Sequence, residues 1–152
     1  MFKNLLFVLM VLAFSPFCHA GGYTSPPDFA DSQRTITLDV FNSTGGFLAT
    51  GTQTAYARVP YNMTLNSWVA TADASGSVKL DVYKDTTANF PPTNADTIVS
   101  ASSPTITSAQ FATGSTAAWG TTALNQGDYI AVSVVSITGI KRLFLTLIGT
   151  LN

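Results

Sequence analysis

An all-β fold, a single antiparallel β-sandwich of jelly-roll type, is predicted from three observations. Short segments alternate apolar and polar residues with a period of two. Clusters of Gly, Pro, Asn, Asp and Ser, residues that tolerate or fix turn backbone, separate nearly all of these segments. No window carries a capped apolar stripe at the 3.6-residue period of a helix. The abundant Thr adds to the pattern, because its stiff, branched Cβ favours extended backbone as those of Val and Ile do.

The segments follow in chain order. Lys3 precedes an apolar run over residues 5–14, and then Pro16 and Cys18-His19-Ala20, so residues 1–20 have the layout of a secretory signal peptide. Ten apolar residues, as a helix, span about half of a roughly 30 Å hydrocarbon layer. Two readings of this segment stand, cleavage after Ala20 and an uncleaved apolar arm packed on a partner. Residues 21–33 (GGYTSPPDFADSQ) read as a linker or extended arm, and residues 34–152 as the β-domain. In 35–40, Ile36, Leu38 and Val40 share a face. Residues 77–83 repeat that period, and 140–151 continue it with Leu143, Leu145 and Leu147. Further strands are expected at 47–50, 52–58, 63–65, 67–71, 97–101 and 129–136, turns at 42–46, 73–76, 90–92, 103–104 and 125–128, and one helical turn near 108–111.

Composition narrows the chemistry. Charged residues are 10% of the chain, against about 25% in an average soluble domain. All eight acids are Asp, and the single Cys and single His both lie in the first 20 residues. Beyond residue 20 no thiol or imidazole nucleophile, disulfide, zinc site or Glu acid/base is available. Seven Lys and Arg against eight Asp provide no basic field for nucleic acid. No Ser-x-x-Lys spacing positions a Ser–Lys pair. Asp81 and Asp85, the nearest to a glycosidase-like pair, read as solvated strand or turn carboxylates. Asp73 and Asp128 read as turn residues bonding local backbone. Asp28, Asp31 and Asp73 make only a weak calcium pattern, with no Asp-x-Asp-x-Asp run. No catalytic residue, metal or cofactor is expected.

Binding fits better. Trp68, within a strand, reads as core; Trp119, in a loop-like stretch, reads equally as core or as a partly exposed ring that stacks on a sugar with Tyr61. The last strand is apolar on both sides, since Phe144 and Ile148 alternate with the three leucines. A sandwich strand with one wet face lacks that pattern, so Phe144 and Ile148 lie under a loop or arm or form an oligomer contact. Strand faces carrying Thr, Ser, Asn and Ala in place of Lys and Glu suit a packed array.

A longer run of motifs carries a resemblance. It comprises Arg58-Val59-Pro60-Tyr61, Met63-Thr64-Leu65-Asn66-Ser67-Trp68, the stretch from Ala72 to Lys84, Pro91-Pro92-Thr93-Asn94-Ala95-Asp96-Thr97-Ile98, Pro104-Thr105-Ile106, Trp119, Leu124-Asn125-Gln126-Gly127-Asp128 and Gly139-Ile140-Lys141-Arg142-Leu143. In order, over residues 51–152, these resemble a β-domain found at the C-terminal ends of bacteriophage virion proteins, tail-fibre proteins among them. The resemblance implies a β-sandwich that assembles in virions or displays a surface for host contact, without catalytic residues. The expectation is therefore a non-enzymatic structural or adhesive subunit, of fibre or decoration type, secreted or on a virion surface. It forms a homo-oligomer, a trimer being one form, and meets other virion or cell-surface proteins and surface glycans. The alternative is a secreted carbohydrate-binding module.

Overall fold

The structure is a computed structural model that describes residues 32–152. The signal-like segment, residues 21–31 of the arm, and Asp28 and Asp31 lie outside the described residues. Seven strands run in chain order: β1 (Gln33–Phe41), β2 (Gly51–Arg58), β3 (Met63–Asp85), β4 (Thr105–Ser115), β5 (Ala123–Leu124), β6 (Tyr129–Thr138) and β7 (Arg142–Leu151). Two single 3₁₀ turns, Thr87–Asn89 and Asn94–Asp96, lie between β3 and β4. The all-β expectation holds, and all strand pairs are antiparallel.

The pairing makes one sheet from long composite strands. β7 pairs with the first half of β3 (Met63 with Leu151 to Ala72 with Leu143), and β6 with the second half (Ser77 with Thr138 to Asp85 with Tyr129). β4 and β5 pair along the opposite edge of β3. β1 lies against β7 and β2 against β6. The sheet thus reads, edge to edge, as β1 and β2 in line, β7 and β6 in line, β3, and then β4 with β5. It bends across its middle, so the β1–β7 half faces the β6–β2 half over a single core, and the sheet curls nearly into a barrel.

Local chemistry sets the crease. The β3 register shifts between Thr71 and Gly76 and again before Val78. A side chain at Gly76 would strike the Thr138 carbonyl and Ile140. Opposite, β4 turns at Ser108, whose φ is 48°. Ser108 N–H donates to Ser77 Oγ at 3.0 Å. Asp73 accepts from the N–H groups of Lys141 and Arg142 at 3.1 and 3.2 Å, pinning the β6–β7 turn to β3.

Alternation then fills the core. Ile36, Leu38 and Val40 from β1, Leu143, Leu145 and Leu147 from β7, Val78, Leu80 and Val82 from β3, and Val132 and Val134 from β6 are all buried. Each such side chain stabilises the fold by about 1.5–3 kcal/mol. At one end of the core Lys84 Nζ meets Asp128 Oδ2 at 3.1 Å, and the same oxygen accepts from Asn125 N–H at 3.0 Å. Asp128 is the turn residue the sequence predicts.

Several expectations need correction. Residues 73–76 are no turn: β3 runs through them as one strand of 23 residues, because the Asp-Ala-Ser-Gly stretch bends the strand at the crease without reversing it. The helical turn at 108–111 lies inside β4. Residues 47–50 form no strand, and 97–101 contribute only an isolated bridge, Tyr83 with Thr97.

Candidate interaction surface

The outer sides of the two halves differ. Over the β6–β2 half, the connection from β3 to β4 folds back as a cover. Phe90 packs on Tyr56 and Tyr129, with ring centres 5.1 and 4.7 Å away, and the Thr97 hydroxyl donates to Asp81 at 2.6 Å. Beneath it the outward-facing Tyr83, Ala131 and Ser133 are buried. The β1–β7 half has no such cover among the described residues. Its outer side carries Phe41 and Asp39 from β1, Arg142, Phe144, Thr146 and Ile148 from β7, Val69 and Thr71 from β3, and Phe111 from β4.

The register places these side chains in rows. Asp39, Phe144, Thr71 and Phe111 stand opposite one another across four strands, and Phe41 stands opposite Arg142 in the next row. Phe41, Phe111 and Phe144 are 53, 57 and 38% exposed. The Arg142 guanidinium lies 4.9 Å from the Phe144 ring centre and 5.9 Å from that of Phe41. It makes a two-pronged ion pair with Asp39, with Nε to Oδ1 at 2.9 Å and Nη2 to Oδ2 closing the fork. Hydrogen bonding and charge from Asp39 raise the Arg142 pKa above its ordinary value. The fork holds the cation beside the two rings, so the patch is aromatic and nearly neutral.

Beside this patch, at the crease, lies an open cleft of about 330 Å³ lined by Asp39, Phe41, Asn42, Gly45, Gly46, Lys141 and Arg142. Lys141 Nζ sits 5.3 Å from the centre of the Phe47 ring. The Asn42 side chain shapes the loop by donating to Phe47 O and accepting from Thr44 N–H and Oγ1–H.

The residues singled out from the sequence fall in three places. Phe144 and Ile148 share the uncovered face, and Ile148 is half-buried. Trp119 is 7% exposed. Its indole N–H donates to Ser102 O at 2.9 Å, and the neighbouring Gly120 N–H donates to Ile98 O, so Trp119 fills most of the seam between two loops, leaving an edge on a shallow cleft with Leu65, Asn66 and Thr116. Tyr61 is exposed, with the Arg34 guanidinium 5.9 Å from its ring centre. Trp68 is buried as expected.

The acidic residues are held by local partners. Asp85 accepts from Thr86 N–H and the Asn89 amide, and Asp81 from Val82 N–H and the Thr97 hydroxyl. Among the described residues, no three metal-ligating side chains converge. Sequence reasoning passed over Phe41, Phe111 and the Asp39–Arg142 pair. Phe41 was legible, since it continues the polar side of the β1 alternation after Thr37 and Asp39. Comparison with family models, with curated proteins and with solved structures gives no match.

Proposed function

We propose that this chain is a non-enzymatic structural or adhesive subunit, of the fibre or decoration kind found on phage virions, acting outside the cell or on a particle. The observation that carries the reading is the asymmetry of the two outer faces. One is largely covered by the chain's own β3–β4 connection; the other presents Phe41 and Phe144 beside a neutralised arginine, with Phe111 two strands further on. Monomeric proteins rarely leave such an apolar patch open, and a contiguous one marks a contact surface. The Phe144–Ile148 face is then the assembly surface, presented to a virion or cell-surface protein. The ordered motifs from Arg58 to Leu143 support the same reading through their resemblance to phage virion domains. The alternative, a secreted carbohydrate-binding module, has less support, because only 7% of Trp119 is exposed.

An antibody against the purified chain tests this on a culture that makes the protein. Labelling of particles or of the cell exterior by electron microscopy is the expected result. Label confined to the cell interior, or substrate turnover by the pure chain, overturns the reading.

A further inference from the structure

β4 closes one edge of the sheet, and its outer side has no strand beside it among the described residues. The backbone register shows which groups face outwards. Thr116 N–H donates to Asn66 O, and the pairs Ser67 with Ser115, Trp68 with Gly114, Ala70 with Ala112 and Thr71 with Phe111 continue that register. In an antiparallel ladder, alternate residues bond to one neighbour and then to the other. Gly114 and Ala112 therefore bond to β3, while Phe111, Thr113 and Ser115 aim N–H and C=O away from it.

An open edge of this kind is a template for another strand, and proteins that stay monomeric guard it with Lys, Pro or inward charges. The sequence of β4, TITSAQFATGS, contains no charge and no proline.

We propose that β4 pairs antiparallel with the β4 of a second copy of this chain, about a twofold axis at Thr113. Thr113 meets its own copy, and Phe111 meets Ser115 of the other chain in both directions, giving about six backbone hydrogen bonds. Like meets like without repulsion, because no side chain on the edge is charged. The chain's own segment before Ser32 is the poorer occupant. It carries Pro26 and Pro27, which lack ladder donors, and the charges of Asp28 and Asp31. This inference deepens the subunit reading by naming the self-contact, and the two fail separately: a monomer that still labels particles leaves that reading standing and removes this one.

Sedimentation velocity on the full chain, across concentrations, tests the pairing. Thr113→Pro removes an N–H aimed at the free edge and leaves the β3 ladder bonded. Thr113→Ala is its control, losing only the hydroxyl bond to Trp68 O. Phe111→Lys places a charge beside the axis and tests the edge without altering the backbone. The wild type and Thr113→Ala are expected to dimerise, while Thr113→Pro and Phe111→Lys weaken the dimer about tenfold or more, with circular dichroism unchanged. A wild type monomeric at about 100 μM, well above a 1 μM dissociation constant, overturns the proposal. So does an oligomer indifferent to Phe111→Lys, or one dissolved by Phe144→Ser alone.

Discussion

The indole of Trp68 occupies the space that a side chain at position 114 would need. A Cβ on Gly114 would lie 2.6 Å from Cζ2 of the ring and 2.8 Å from Cε2. The two residues face each other across β3 and β4, so the glycine lets a large ring lie over the neighbouring strand. Gly114→Ala is expected to destabilise the protein by about 1–3 kcal/mol through overpacking, seen as a lower urea midpoint and a shifted Trp fluorescence maximum. Gly76→Ala, where the obstacle is the Thr138 carbonyl on the backbone, should cost more.

The Lys84–Asp128 pair supplies a second expectation. Both side chains are largely enclosed, at 18 and 7% exposure, so removing one leaves the other's charge poorly solvated. Asp128→Ala should cost about 3 kcal/mol, near the lower range for a broken buried pair, because Asn125 N–H also loses its acceptor. Lys84→Met with Asp128→Asn should recover part of that loss. Urea denaturation of the single and double variants measures the difference.

Acid stability should depend on Asp73. Burial alone pushes its carboxyl up, but the N–H groups of Arg142 and Lys141, with those of Asp73 and Ala74, outweigh burial and hold it below the usual carboxylate range. A folded pKa below the unfolded one means stability that is full above the unfolded value, near pH 4, and lost as pH falls through the folded value. Asp96 adds to the same trend, because Thr93 N–H and hydroxyl bond it at the head of a 3₁₀ turn. Asp73→Asn should lower stability at neutral pH and flatten its fall between about pH 5 and 2. Urea midpoints measured across that range test the slope.

For the uncovered face, Phe144→Ser is expected to keep the fold, since the ring is 38% exposed and outside the core. It should weaken binding to particles or cells about tenfold, by removing one ring beside Arg142. Arg142→Lys should weaken it less, keeping a cation beside the rings but losing the two-pronged bond to Asp39. Co-sedimentation of labelled chain with particles or cells reads both.

What the sequence made legible follows from how each element is held. β1, β6, β7 and the second half of β3 each set a row of branched aliphatic residues towards the core, and that row recurs with period two, which locates them. β4 escaped because its sides differ little in hydropathy: Ala112 and Gly114 face inwards while Phe111 faces water. The crease escaped because Asp73 bonds backbone 68 and 69 residues further on, and a local window shows only turn residues. Trp119 was undecided for the same reason, its enclosure being set by Ser102 and Ile98 in another loop. That Phe144 and Ile148 share the side of β7 opposite its leucines was readable from the alternation; their row with Phe41 and Phe111 needed the register.

The pairing of β1 with β7, from Gln33 against Thr150 to Phe41 against Arg142, bears on how the chain comes to be folded during synthesis. β2 likewise waits for β6. Neither flank can settle before its distant partner strand, β7 or β6, has been made, so the leucine-bearing side of β1 waits unsheltered for more than 100 residues of chain. Joining stretches so far apart along the chain costs loop-closure entropy before any contact offsets it, which makes such a sheet slow to close.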